Sequence, residues 1–200
     1  MIILILLLSF LLGSIPNAYL IAKIFRGIDI RHHGSENPGA TNVWRVVGKI
    51  HGSITFLLDV LKGFLPVIIS KNLLAHSSQI GFSGEPSSVI PVAAGFCAVI
   101  GHIWTPFLKF NGGKGVATGC GVFLGLTPLP TIFSLIVFLI VLAITKYVAL
   151  GSIAASISLP VFLYFFSEPT IIKYISIVIA IIIVWRHKSN IKKIIQGPER

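Results

Sequence analysis

The sequence predicts an all-α membrane protein of about seven transmembrane helices, with its amino terminus outside and its carboxyl terminus in the cytoplasm. Three observations predict it. The 200-residue chain is 54% hydrophobic and only 11% charged, where a soluble domain carries about 25% charged residues; its mean hydropathy is +0.93. Apolar runs, most of them near the ~20 residues that cross a hydrocarbon layer, recur along its whole length. The cations that give a net charge of +10 gather on alternate connections between those runs.

The first run, 2–22, lacks the basic n-region of a secretory signal, so it is expected to be retained as a span. Its "GSIPN", Gly13 to Asn17, predicts a kink. The second, 53–72, carries Asp59 and Lys62 at i, i+3. Ionisable groups are costly at that depth, and a mutual ion pair holding the second span against the first is expected. The third covers 89–108. The fourth, 116–129, is short for a span, and "TPLP" (Thr127 to Pro130) predicts a tight turn before the fifth, 130–146. The sixth and seventh follow at 148–166 and 171–186. Cys97 and Cys120 fall in apolar segments and read as small buried hydrophobes. No fixed-period repeat or low-complexity tract is visible, so residues 1–200 are read as a single domain.

Seven spans place the termini on opposite sides. One set of connections then holds Lys23, Arg26, Arg31, Arg45, Lys49, Lys109, Lys114, Lys146, Arg186, Lys188, Lys192, Lys193 and Arg200. The other holds only Lys71 and Lys173. The positive-inside bias assigns the first set to the cytoplasm. This distribution favours a membrane protein over a nucleic-acid binder.

Three stretches on that face combine glycine, small hydroxyls and cations. The first is "RHHGSENPGATNVWRVVGK", where glycines let backbone N–H groups approach an anion. Ser35, Thr41 and Asn42 add side-chain donors, and Arg45 follows one helical turn after Asn42. The second, Gly101 to Gly121, places Gly112, Gly113 and Lys114 at the start of the fourth span, where bare N–H groups and a lysine are expected to meet. It is not a Walker A loop, because Gly115 stands where a magnesium-binding Ser or Thr is needed. His102 lies at its other end. The third is "WRHKSNIKK", with His187 and Asn190 at i, i+3 on one face. Ser152 begins the sixth span, as a site hydroxyl or as a helix cap. Of the six acids, only Asp29, Glu36 and Glu199 lie on this face. No metal cage or carboxylate dyad is expected, and the chemistry suits phosphate-bearing substrates at a lipid boundary.

These stretches together resemble the bacterial acyl-phosphate:glycerol-3-phosphate acyltransferase family. The resemblance rests on "LLGSIPNAYLIAK", "GSENPGATNVWRVVGK", "LDVLKG", "GH" followed by "FNGGKGVATGCGVF", "GSIAAS" and "RHKSNIKKIIQG", in that order along the chain. It implies a seven-span enzyme of the bacterial inner membrane with its active site facing the cytoplasm. Such an enzyme moves a fatty acyl group from acyl phosphate to the 1-hydroxyl of sn-glycerol 3-phosphate, giving lysophosphatidic acid and inorganic phosphate without a cofactor. By the same resemblance Ser35, Arg45, Lys114, Ser152, His187 and Asn190 bind glycerol 3-phosphate. Gly39, Ala40, Thr41 and Asn42, with Gly112 and Gly113, hold the acyl phosphate. His102 supports the site.

Three positions depart from the family pattern: Glu36 and Asn111 stand where glycine and lysine are usual, and Ser189 where glutamate is usual. A carboxylate at Glu36, beside Ser35, would repel phosphate unless it turns outward toward Arg31 or water, and the sequence leaves its accommodation open. The implied mechanism needs no covalent nucleophile; the proton acceptor is the donor's own phosphate, with His187 as the possible base or orienter. The rival classes are a small transporter of an organic phosphate and a structural protein binding anionic lipid. The partners expected are the two substrates and membrane lipid, with no nucleic acid and no metal.

Overall fold

Proline breaks the first apolar run. Helix α1, Ile2–Ser14, stops at Ile15, and α2, Asn17–Arg26, restarts after Pro16, because proline has no N–H to continue the ladder. The first span is therefore longer than the 2–22 predicted, and it is bipartite. Our computed structural model describes residues 1–78 and 89–196, so Glu199 and Arg200 lie outside the described residues. The helices form two compact units, Met1–Leu126 and Thr127–Arg200.

In the first unit α3 (Ala40–Val46) and α4 (Lys49–Ser78) follow the opening connection, then α5 (Val89–Ile103) and α6 (Val116–Leu126). Helix α1 packs on α5, and α4 packs on α3, α5 and α6. The α4–α6 seam is glycine-tight. A methyl group at Gly121 would run into the Val60 carbonyl, the close backbone approach typical of membrane helix pairs. The second unit stacks α7 (Pro128–Thr145) on α8 (Val148–Phe165), and α8 on α9 (Thr170–Arg186), with α10 (Lys188–Gln196) following.

The packing is that of a chain solvated by lipid. Large apolar side chains such as Ile3, Ile144 and Phe165 face outward, whereas Ala22, Ala94, Ala98, Thr55 and Ser70 are fully enclosed. The enclosed hydroxyls bond within their own helices: Thr55 Oγ1 donates to the His51 carbonyl at 2.8 Å and Ser70 Oγ to the Pro66 carbonyl at 2.7 Å. Cys97 and Cys120 are free and half-buried, less enclosed than predicted.

Five helical segments among the described residues are long and apolar enough to cross a membrane, or six if α9 and α10, bent by 47°, count as one. Helix α6, at 11 residues, spans ~16 Å at 1.5 Å per residue, about half the hydrocarbon thickness. Its carbonyl end is met by Lys71, whose Nζ donates to Gly125 at 2.7 Å. A cation at a helix carboxyl end offsets the dipole and occupies orphan acceptors. The turn predicted at "TPLP" is a single residue, Thr127, between α6 and the proline-started α7.

Candidate functional site

Asn42 organises the first connection. It is 1% exposed. Its Oδ1 accepts from the Ser35 N–H at 2.9 Å, and its Nδ2 donates to the carbonyls of His33 at 2.8 Å and Ile30 at 3.2 Å. The sequence suggested Asn42 as a side-chain donor to a ligand; the structure corrects this, since both amide hydrogens are engaged by the loop. Gly34 sits at φ +62°, and a methyl group there would strike Asn42 Oδ1. Underneath, Ile30, Val43 and Val47 pack with Ala18, Ile21 and Ala22 in a small apolar core. A polar loop is thus held rigid by one buried amide and a few aliphatic side chains.

On this frame Ser35, Thr41 and Arg45 are exposed, with Gly39 and Ala40 half-buried. Helix α3 starts at Ala40, so the Ala40 and Thr41 N–H groups lie in its first turn, where intrahelical acceptors are lacking. Arg45 follows on the same helix. The carboxylates nearby are dealt with locally. Arg31 holds Asp29 in a bidentate pair, at 2.6 Å from Nη2 and 3.0 Å from Nε, and stacks 5.5 Å from the Tyr19 ring centre. That hydrogen bond, against the opposing effect of burial, lowers the Asp29 pKa to about 2. Glu36 is exposed at φ +61°. Its exposure puts it in reach of water, while Arg31 pairs with Asp29. The positive φ is a physical reason for glycine at this position in the family pattern.

Beneath the loop, Lys62 Nζ lies 2.9 Å from Asp59 Oδ1 and also donates to the Ile15 carbonyl at 2.8 Å. That carbonyl lies at the proline break. Asn17 Nδ2 donates to the same Asp59 oxygen at 3.0 Å, and His102 Nδ1 stands 3.8 Å from it. All four side chains are buried. The expected ion pair tying the second span to the first is present. Thr105 extends it, its Oγ1 donating to the Ser14 carbonyl at 2.6 Å; no sequence signal marked Thr105, because its partner is 91 residues away.

The glycine loop closes on the end of α5. The Gly112 N–H donates to the Ile103 carbonyl at 3.0 Å and the Gly113 N–H to the His102 carbonyl at 3.1 Å. This corrects the expectation of bare N–H groups there: they satisfy carbonyls that the end of α5 leaves open. Gly113 lies so close to the His102 ring that a methyl group would overlap Nε2. Lys114 follows, half-buried, two residues before α6. Between this loop and the ion pair is a cavity of about 10 Å³, bordered by Pro38, Asn17, Asp59, Lys62, His102 and Gly113, among others. It suits about one water molecule and is far below the ~300–1,000 Å³ of a ligand pocket.

In the second unit Ser152 is buried inside α8, its Oγ donating to the Val148 carbonyl at 2.9 Å. It is not the helix cap, which is Tyr147. His187 is buried at the junction of α9 and α10. Its Nδ1–H donates to the Ile183 carbonyl at 2.7 Å, and its own carbonyl accepts from Ile191 at 3.0 Å. The bond to Ile183 fixes a proton on Nδ1 and sets the ring's orientation. Asn190, half-buried, is in the first turn of α10.

Comparison with known proteins bears on both units. The family model described as glycerol-3-phosphate acyltransferase matches residues 3–197. A glycerol-3-phosphate acyltransferase of Endomicrobium trichonymphae is 43% identical over 98% of this chain and 94% of its own length. One of Prochlorococcus marinus (strain MIT 9312) is 44% identical over 98% and 95%. Two crystal structures of PlsY (YgiH), an integral membrane glycerol 3-phosphate acyltransferase, are 37% identical and cover 100% of this chain and 94% of theirs. The glycerol 3-phosphate form superposes with a TM-score of 0.87 and the lysophosphatidic acid form with 0.84.

Proposed function

The chain belongs to the glycerol-3-phosphate acyltransferase family, and from that premise we propose that it takes its acyl group from an acyl phosphate. The acceptor is the 1-hydroxyl of sn-glycerol 3-phosphate, and the products are lysophosphatidic acid and inorganic phosphate. The observation that carries this reading is the first connection. Exposed Ser35 and Arg45 flank the first turn of α3 on a rigid frame, and the one carboxylate bonded within that frame, Asp29, is neutralised by Arg31. Such a surface suits a phosphate monoester. Ser35, Arg45 and Lys114, with Ser152, His187 and Asn190 of the second unit, are assigned to glycerol 3-phosphate. The Gly39–Thr41 turn, held from behind by Asn42, is assigned to the donor phosphate. Gly112 and Gly113 contribute to donor binding by shaping the loop before Lys114.

The chemistry is mild. The acceptor oxygen attacks the carbonyl carbon of a mixed anhydride, the carbon–oxygen bond to phosphate breaks, and phosphate departs with the bonding pair. A phosphate oxygen of the donor takes the hydroxyl proton, while His187 orients the acceptor. The protein's work is to hold two anions together, where positioning can contribute ~7–11 kcal/mol and fixed donors stabilise the developing oxyanion. In this reading residues 1–200 act as one catalytic domain. Helix α6 completes seven spans with the bent α9–α10 pair, and the site faces the cytoplasm of a bacterial inner membrane, as the cation distribution supports. An organic-phosphate transporter would want unmet polar groups at mid-membrane depth, but Asp59 and Lys62 meet each other.

The test is lysophosphatidic acid formation by purified protein given palmitoyl phosphate and glycerol 3-phosphate, with phosphate released in step, repeated with palmitoyl-CoA, whose leaving group is the CoA thiol. Lysophosphatidic acid formation that needs both substrates, and fails with the thioester, supports the proposal. Turnover with the thioester alone overturns the donor assignment.

A further inference from the structure

We infer that Asp59 is a positioning residue for the glycine-lysine loop 112–115 and acts on it through His102. Three groups face one carboxylate oxygen: Lys62 Nζ at 2.9 Å, Asn17 Nδ2 at 3.0 Å and His102 Nδ1 at 3.8 Å. Lys62 and Asn17 account for the ion pair that ties α4 to the α1–α2 break. His102 is not needed for that tie, yet its ring stands between the carboxylate and Gly113. Its main chain is clasped to the loop as well, since the carbonyls of 102 and 103 receive the Gly113 and Gly112 N–H groups. Ring and backbone of one residue therefore hold the loop from two sides.

This geometry gives His102 no room to move without moving the loop. A ring rotated away from Asp59 would press on Gly113, where even a methyl group does not fit. Lys114 is the next residue. The carboxylate thereby sets where the Lys114 ammonium emerges, from a buried location with no space for substrate. The cavity also borders Pro38 of the first connection, so both loops of this unit line the same small space as the buried charge pair. The kinetic consequence rests on the proposed transfer reaction; the structural one does not.

The test is a double-mutant cycle on Asp59→Asn and His102→Ala in the full-length detergent-solubilised protein, read in two ways. Amide hydrogen exchange of peptides containing Gly112 and Gly113 reports the clasp whatever the activity. The Michaelis constants for glycerol 3-phosphate and for acyl phosphate report the site. Each single variant is expected to speed loop exchange by about tenfold, and to raise the KM for both substrates by a similar factor with kcat little changed, since the loop carries Lys114 for the acceptor and shapes donor binding. The double variant is expected to match the worse single one, since groups acting in series are non-additive. Additive effects, unchanged loop exchange, or a fall in kcat with both KM values unchanged overturn the inference. Where Asp59→Asn alone fails to fold, Asp59→Asn/Lys62→Met, which leaves no unpaired charge, takes its place in the cycle with the same outcomes. A wild-type protein inactive with acyl phosphate but showing coupled loop exchange defeats the proposed function and leaves the positioning role standing.

Discussion

The opening connection and the pocket below it use the same kinds of residue to opposite ends. In the connection Ser35, Thr41 and Arg45 stand in solvent and their frame is maintained by a neutral amide, Asn42. Below it Asp59, Lys62, Asn17 and His102 are enclosed, and each faces another protein group. Exposed charges remain available to a ligand and contribute little to stability. Enclosed ones hold helices in register and have little tolerance for a missing partner. Position relative to solvent, rather than residue type, separates recognition from support.

Changes that unbalance the enclosed group should break this contrast most visibly. Lys62→Ala leaves a carboxylate unpaired inside the protein, a loss of about 3–5 kcal/mol, read as a collapse of the melting temperature in detergent. Asn42→Ala strips two carbonyls and one N–H of their partner, costing about 2–3 kcal/mol; proteolysis between residues 30 and 40 should reveal a loosened loop at a smaller loss of melting temperature. Lys114→Ala should raise the acceptor KM by roughly one to two decades, the ~1.5–3 kcal/mol of a charge-assisted bond, with the donor KM nearly constant. Glu36→Gly removes a left-handed strain of about 1 kcal/mol and should raise the melting temperature slightly with activity intact. The smallest effect is on acid. Since Asp29 is lowered from 3.8 to about 2 in the folded chain, its contribution is complete above about pH 4 and fades as pH falls through about 2. Loop amide exchange followed from pH 5 to 2 checks the sign.

The spans were legible because membrane burial is written into long apolar runs, and the ion pair because Asp59 and Lys62 share a helix face. The break at Pro16 was legible too, as the kink expected within Gly13 to Asn17; a hydropathy window averages composition, however, so it ended the first run short of Arg26 and carried the fourth past Leu126, where α6 stops. The positions of Ser35 on an exposed loop and of Arg45 on the short helix after it followed from local pattern. Three features did not: the engagement of Asn42 with Ile30 and His33, the capping of α5 by Gly112 and Gly113, and the left-handed Glu36. Each depends on what a backbone group meets elsewhere in the chain or on a dihedral angle, and neither is encoded by residue type alone.

Equilibrium binding of radiolabelled glycerol 3-phosphate to wild type and to Arg45→Ala, in the absence of any acyl donor, tests the division between recognition and support most directly. Saturable binding to wild type is expected, at least tenfold weaker in the variant, with both proteins melting at the same temperature. Equal affinities, or a variant whose weaker binding follows a matching loss of melting temperature, would contradict it.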